Sequence, residues 1–274
     1  MNKTAKIQSI EARLRRIEGR HNALVKELRS AFVHGGANLD GYTAIEGLRI
    51  LEEAIRSGLK FKAVFFSNAG VAKAERLLPQ LAAHVETLLL PNKLFSSAVP
   101  SDTPQGVAAL VKVKEFNLED VLARAGAGPI VIVVGLQDPG NLGTILRSAE
   151  AFGAGGVVMG EGTVNHLNSK VVRASAGSVF RLPIAHSKLD EVIEALQQHG
   201  IRRAATSSHE GTPLPNANLG GPLAILIGSE GTGISRDLLK EVDEIIAIPH
   251  SPQVESLNAG VAASIVLYEA ARQR

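Results

Sequence analysis

Short apolar runs separated by helix-length stretches fill residues 128–274, and this alternation restricts the fold more than any other feature. Ile130 to Val134 is an unbroken run of β-branched residues. Such a run suits a strand buried on both faces, as in a parallel sheet covered by helices. Gly156 to Met159, Val179 to Ile184, Arg203 to Thr206, Leu223 to Ile227 and Ile245 to Ile248 continue the series. Helices are expected over Asn141 to Phe152, Lys188 to Gln198, Arg236 to Glu241 and Ser256 to Arg272. The first half alternates as well. Ala44 to Arg56 reads as a helix, with Ile45, Leu48, Leu51 and Ile55 on one face and Gly58 ending it. A strand over Lys62 to Ser67 follows, then a helix over Val71 to Ala82 and strands over Val85 to Leu90 and Gly106 to Val113. Arg124-Ala-Gly-Ala-Gly-Pro129 is small and flexible, the composition of a linker. The expectation is α/β with two domains, at roughly 30–120 and 128–274.

Composition removes several function classes. With no cysteine among 274 residues, disulfide frameworks, thiolate metal sites and cysteine nucleophiles are excluded. The longest apolar run is strand-sized, and the N-terminus has no apolar core of a signal peptide, so a cytoplasmic protein with no membrane partner is expected. Aromatic residues make up 4%, so a nucleic-acid surface here must rely on charge and hydrogen bonds more than on stacking.

Charge is unevenly placed. Residues 1–30 carry eight Lys/Arg against three acids, whereas the remainder carries 21 against 24. Ile7, Ile10, Leu14, Ile17, Leu24 and Leu28 recur at three-four spacing, which predicts a basic amphipathic helix over 1–30. Arg13, Arg16 and Arg20 would form an outward row on it, facing either solvent or a polyanion.

Three strand-end loops carry the chemistry. Gly135-Leu-Gln-Asp-Pro-Gly-Asn-Leu-Gly-Thr-Ile-Leu-Arg147 follows a strand and opens a helix, where open α/β sheets place ligands. It lacks the Gly-Lys-Ser/Thr of a phosphate-binding P-loop and the third glycine of a dinucleotide fingerprint. Arg147 taken alone reads as an ordinary helix arginine with a surface partner ahead of a functional group. Ile227-Gly-Ser-Glu-Gly-Thr-Gly-Ile-Ser235 packs three glycines into six residues, so its backbone can approach a ligand closely. Ile248-Pro-His-Ser-Pro-Gln-Val-Glu-Ser-Leu-Asn258 ends another strand, and Ser256 and Asn258 could simply cap the next helix. Three such loops in one domain point to one pocket. The histidines, His166, His186, His209 and His250, show no metal-ligand spacing, and no metal is expected.

In this order, the three loops resemble the motifs of the SpoU–TrmH family of RNA ribose 2′-O-methyltransferases, and Val172 to Ile184 between them is also similar to that family. Phe32-Val33 and Ile45 to Ala54 more loosely resemble its ribosomal-protein-like α/β RNA substrate-binding domain; the Gly35 to Tyr42 insertion departs from the pattern. The resemblance implies a parallel-sheet domain with a deep trefoil knot, a homodimer through that domain, and S-adenosylmethionine as cofactor. It places the cofactor at Thr206, Gly228, Ile248, Ser256 and Leu257. Arg147 takes the catalytic position, with Asn141, Glu230, Ser256 and Asn258 around it. The substrate it implies is RNA, ribosomal RNA ahead of transfer RNA because of the first domain. Two other readings remain at this point. One is a Rossmann-type nucleotide enzyme, with Glu161 as a ribose-binding acid 18 residues after Gly143. The other is an RNA-binding protein that kept the fold without the activity.

Overall fold

The structure, a computed structural model, describes residues 10–208, 210–229 and 231–274. They form two compact units: one runs up to Lys114 and includes Leu167–Arg173, and the other comprises Glu115–His166 and Ala174–Arg274. Among the described residues no helix is long and apolar enough to cross a membrane.

The first unit is built on a mixed five-stranded sheet. Its strands are β1 (Arg15–Arg16), β2 (Tyr42–Glu46), β3 (Lys60–Ser67), β4 (Glu86–Leu90) and β5 (Val107–Lys112), in the spatial order β1-β4-β3-β5-β2. β5 runs antiparallel to both β3 and β2, whereas β4 is parallel to β3 and β1. Helix α1 (Ala23–His34) buries Val25, Leu28 and Ala31 in a core with Ala44, Phe65, Leu88 and Leu110 from the sheet. Asn22 caps it, accepting from the Leu24 amide at 3.0 Å.

Here the chain departs from its local periodicity. The expected helix over residues 1–30 is not continuous in the part described; Ile7 lies outside it. Arg15–Arg16 instead adds an edge strand to β4, and the Ile17 amide donates to the Leu89 carbonyl at 3.0 Å. The apolar positions are still used, because Ile10, Leu14 and Leu28 are buried. Arg13, Arg16 and Arg20 are exposed but do not share a helix face, and Arg16 pairs with Glu11 at 2.6 Å. Ala44 to Glu46, read as the start of a helix, lies in β2 and pairs with Ala108 to Leu110. Sheet hydrogen bonds override the helical pattern there, and Gly47, at φ +102, turns the chain into α2 (Leu48–Arg56). The helix expected over Val71 to Ala82 is cut into short turns, Asn68–Lys73, Ala74–Leu77 and Leu78–Gln80. Pro79, which has no amide to donate, sits in the last of them.

The second unit holds a seven-stranded sheet in which every pairing is parallel. Its strands are β6 (Ile130–Val133), β7 (Gly156–Met159), β8 (Ile184–His186), β9 (Arg202–Ser207), β10 (Thr212–Pro213), β11 (Leu223–Ile227) and β12 (Glu244–Ala247), ordered β10-β12-β9-β11-β6-β7-β8. β6, β7 and β11 are buried throughout, as their continuous apolar runs require. The helices used below are α3 (Pro139–Ala151), α4 (Leu189–Gln198), α5 (Arg236–Lys240) and α6 (Ala259–Arg272). Two expectations are corrected. Val179 is in a helical turn, Ser178–Phe180, and the strand starts only at Ile184, after Pro183. The Arg124 to Pro129 segment is not a free linker: Val121, Leu122 and Ala125 are in this unit's core with Ile132, Val158 and Leu196.

Candidate active site

β12, β9 and β11 are neighbours and parallel, so their carboxyl ends open together. That edge is where a parallel sheet receives ligands, because the loops diverge there and leave a crevice. The loops after these three strands enclose a cavity of about 450 Å³. That volume lies in the range of small-molecule sites. Thr206, Gly228, Ile248, Ser256 and Leu257 all line it. The fold thus gathers at one cavity residues that lie up to 51 positions apart.

Local chemistry shapes each wall. The Thr206 hydroxyl donates to the Leu226 carbonyl at 3.1 Å and ties β9 to β11 at the cavity floor. The loop after β11 closes on itself: the Gly233 amide donates to the Ser229 carbonyl at 3.0 Å, and the Ser229 and Thr232 hydroxyls are 2.8 Å apart. Gly228 is held against this turn, where a Cβ would come within 2.5 Å of the Gly233 carbonyl carbon. Ser235 then caps α5 through the Leu238 amide at 3.3 Å. On the third loop, His250 Nδ1 lies 2.7 Å from the Ile248 carbonyl. A carbonyl only accepts, so Nδ1 carries a proton in this contact.

The first motif joins the third through one hydrogen bond. Asp138 caps α3 by accepting from the Asn141 amide at 2.7 Å. Asn258 caps α6, accepting from the Val261 amide at 3.2 Å, and its Nδ2 donates to Asn141 Oδ1 at 2.8 Å. Asn258 is thus a cap, and it also binds the two motifs to each other. The helices behind them lie close. A Cβ on Gly260 would stand 3.0 Å from Thr144 Cβ, and the Ser148 and Ser264 hydroxyls are 2.6 Å apart. Arg147, on the same helix as Asn141, is exposed and has no hydrogen-bond or ion-pair partner among the described residues. A guanidinium held out to solvent can take a phosphate or a developing oxyanion. Ser256 is exposed at the cavity wall. Glu230 lies outside the described residues.

Several wall residues were not foreseen: Ser207, Ser208, Thr232, His250 and Glu255. Their signal was available, since each lies within, or one to two residues beyond, a strand-end segment already singled out. The histidines also hold one surprise. His166 Nδ1 and His186 Nε2 are 2.9 Å apart although 20 residues separate them. Burial, and then the neighbouring imidazole, push His166 down to about 3. Glu161, the acid of the Rossmann reading, accepts from the Leu189 amide at the start of α4 at 3.2 Å. It serves as a helix-start acceptor remote in sequence from every residue lining the cavity.

Comparison with known proteins agrees with this geometry. Residues 128–268 match the family model described as SpoU rRNA Methylase family, and residues 22–109 match an MRM3-like substrate binding domain. Over 255 residues the chain is 30% identical to the 23S rRNA (guanosine(2553)-2'-O)-methyltransferase RlmP of Bacillus subtilis, covering 93% of this chain and 98% of that one. Among solved structures, an AdoMet-bound rRNA methyltransferase from Sinorhizobium meliloti superposes with a TM-score of 0.81 at 27% identity, over 94% of this chain and 98% of that one. The SpoU methyltransferase AviRb from Streptomyces viridochromogenes, in complex with AdoMet, gives 0.79 at 26% identity, over 93% and 98%.

Proposed function

Because the chain belongs to the SpoU rRNA methylase family, we propose that it methylates a ribose 2′-hydroxyl of ribosomal RNA with S-adenosylmethionine as donor. The observation that carries this reading is the cavity of about 450 Å³ built from the motif loops. Its chemistry fits the cofactor. Ile227, Ile248 and Leu257 offer apolar walls to a purine, and Thr206, Ser229 and Ser256 offer hydroxyls to a ribose or carboxylate. Gly228 supplies backbone at a place where any side chain would collide.

When bound, S-adenosylmethionine supplies an electrophilic methyl carbon on a sulfonium. The residues of this chain supply position and charge. Methyl transfer is an in-line displacement, so fixing the attacking oxygen against the methyl group provides much of the rate. A guanidinium has donors and no acceptor, so it cannot serve as the base. The role of Arg147 is to hold the 2′-oxygen and an adjacent RNA phosphate, and to stabilise the negative charge that grows as the hydroxyl proton passes to water. Asn141 and Asn258 hold the Arg147 helix to the cofactor loop through their 2.8 Å bond. Ser256 positions substrate beside that loop.

The trefoil knot and the homodimer belong to this reading. Support for the dimer comes from α6, where Val261, Ile265 and Tyr268 form an exposed apolar stripe at four- and three-residue spacing. A lone stripe of this kind calls for a partner surface, and a second copy brings the identical stripe by two-fold symmetry. Replacing Ile265 and Tyr268 together by Asp should yield monomers in sedimentation analysis and lose most methyl transfer. A double variant that still sediments as a dimer would remove α6 from the interface.

The test of the activity itself is transfer of labelled methyl from S-adenosylmethionine to rRNA transcribed without modifications. The product should be alkali-resistant at one position, because a 2′-O-methyl blocks backbone cleavage there. Label found on a base instead of a ribose would refute the reading.

A further inference from the structure

At the end of the first unit's sheet, three strands place like charges side by side. Lys60 on β3 sits directly opposite Lys112 on β5, and Lys112 sits directly opposite Tyr42 on β2. Directly opposed side chains lie on the same face of the sheet, and like charges in that position destabilise it. Both lysines are exposed, and neither has a carboxylate partner among the described residues. Lys62 joins them: its ammonium lies 5.1 Å from the Tyr42 ring centroid, and that of Lys112 lies 5.9 Å away. One aromatic ring thus gathers two ammonium groups. Glu27 pairs with Lys62 at 2.7 Å and leaves the other two charges uncompensated.

The loop that enters β2 stands beside this cluster, and it is tightly built. Asn38 Oδ1 accepts from the Asp40 and Tyr42 amides at 3.0 and 2.9 Å, and Asn38 Nδ2 donates to Glu27 at 3.0 Å. Its backbone pairs with Tyr42 and Gly41 as well. The loop so fixed holds Leu39 fully exposed, six residues after Val33, which lies in the last turn of α1 and is 76% exposed. A rigid loop that presents an apolar side chain to water beside unpaired lysines pays for no internal contact of the fold.

We propose that this strand-end face is an RNA-docking surface. Lys60 and Lys112 neutralise phosphates of an unpaired stretch, and Leu39 packs against an unstacked base or ribose. Charge identifies the partner as a polyanion, and an apolar wedge beside phosphate-binding lysines suits a chain whose bases are splayed out. The inference rests on the RNA methyltransferase reading for its choice of RNA, and it assigns a role to the insertion between the two family-like segments.

The test compares wild type, Lys60→Gln/Lys112→Gln and Leu39→Ser as full chains. Binding to unmodified 23S rRNA transcript, and to a single-stranded oligoadenylate, is measured across salt concentrations. Two lost phosphate contacts on a single strand should flatten the slope of log affinity against log salt by about 1.4. Leu39→Ser should weaken binding by about tenfold, the scale of one buried leucine, without changing the slope. KM for RNA should rise in both variants, with kcat and S-adenosylmethionine affinity unchanged. Unaltered RNA affinity and slope in both variants would overturn the proposal. So would a Leu39→Ser protein whose oligomeric state changes while its RNA binding does not, since the face would then serve protein contact. Wild-type protein that binds RNA and fails to transfer methyl would sink the enzymatic reading alone.

Discussion

Arg147→Ala should lower kcat for RNA methylation by about 10²–10³-fold, the cost of removing a donor aimed at developing negative charge. S-adenosylmethionine affinity should not change, because Arg147 is absent from the cavity wall. Fold stability should change little, since the side chain is exposed and has no partner among the described residues. Arg147→Lys should recover only part of the activity: a point charge can meet a phosphate but does not present the guanidinium fork. Single-turnover rates with saturating cofactor and RNA would separate this chemical defect from weaker substrate binding. Near wild-type turnover in Arg147→Ala would transfer the charge-stabilising role to another group.

The second large effect is expected at Gly228. An added Cβ would stand 2.5 Å from the Gly233 carbonyl carbon, 2.7 Å from its oxygen and 2.8 Å from Ile234 Cγ1. Two of those three atoms are backbone, so the turn must move instead of a flexible side chain. That turn is one wall of the cavity, and it is tied down by the Gly233 to Ser229 bond and the Ser229 to Thr232 hydroxyl contact. Gly228→Val should therefore weaken S-adenosylmethionine binding by about 100-fold or more, roughly 2.8 kcal/mol. Titration calorimetry would read it, with far-UV circular dichroism reporting whether the sheet survives. Ile234 is the one core residue among the three contacts, and the core residues on the strands, Ile130, Ile132, Val158, Ala205 and Leu226, are not touched, so the sheet is expected to remain. A variant with unchanged affinity would mean that the cofactor does not approach this turn.

These two positions were legible in the sequence for different reasons. Gly228 stands in a strand-end loop dense in glycine, where close backbone approach is the physical expectation. Arg147 was a helix arginine like others until the order of the three motifs supplied a resemblance. The other wall residues, His250 and Glu255 among them, were within reach of the same logic. They were passed over because a single histidine or carboxylate without a spaced partner carries no signal of its own.

The N-terminal segment shows where sequence reasoning stops. Apolar spacing located Ile10, Leu14 and Leu28 as buried residues, and burial depends only on which side chains leave water. It did not determine the backbone that delivers them, because β4 offers an unpaired edge and two arginines satisfy it as a strand. The same competition decided Ala44 to Glu46, whose helical pattern yields to hydrogen bonds with β5. In the second unit the local and tertiary preferences agree. Ile130 to Val133 and Leu223 to Ile227 are apolar along their whole length and buried on both faces, so local patterning already specified a parallel α/β sheet. Long-range packing set the strand order that makes β12, β9 and β11 neighbours, the bond from Asn258 to Asn141 across 117 residues, and the facing of Lys60 with Lys112. Each of these is a contact between segments distant in the chain, and no periodicity of a single segment encodes the partner it will meet.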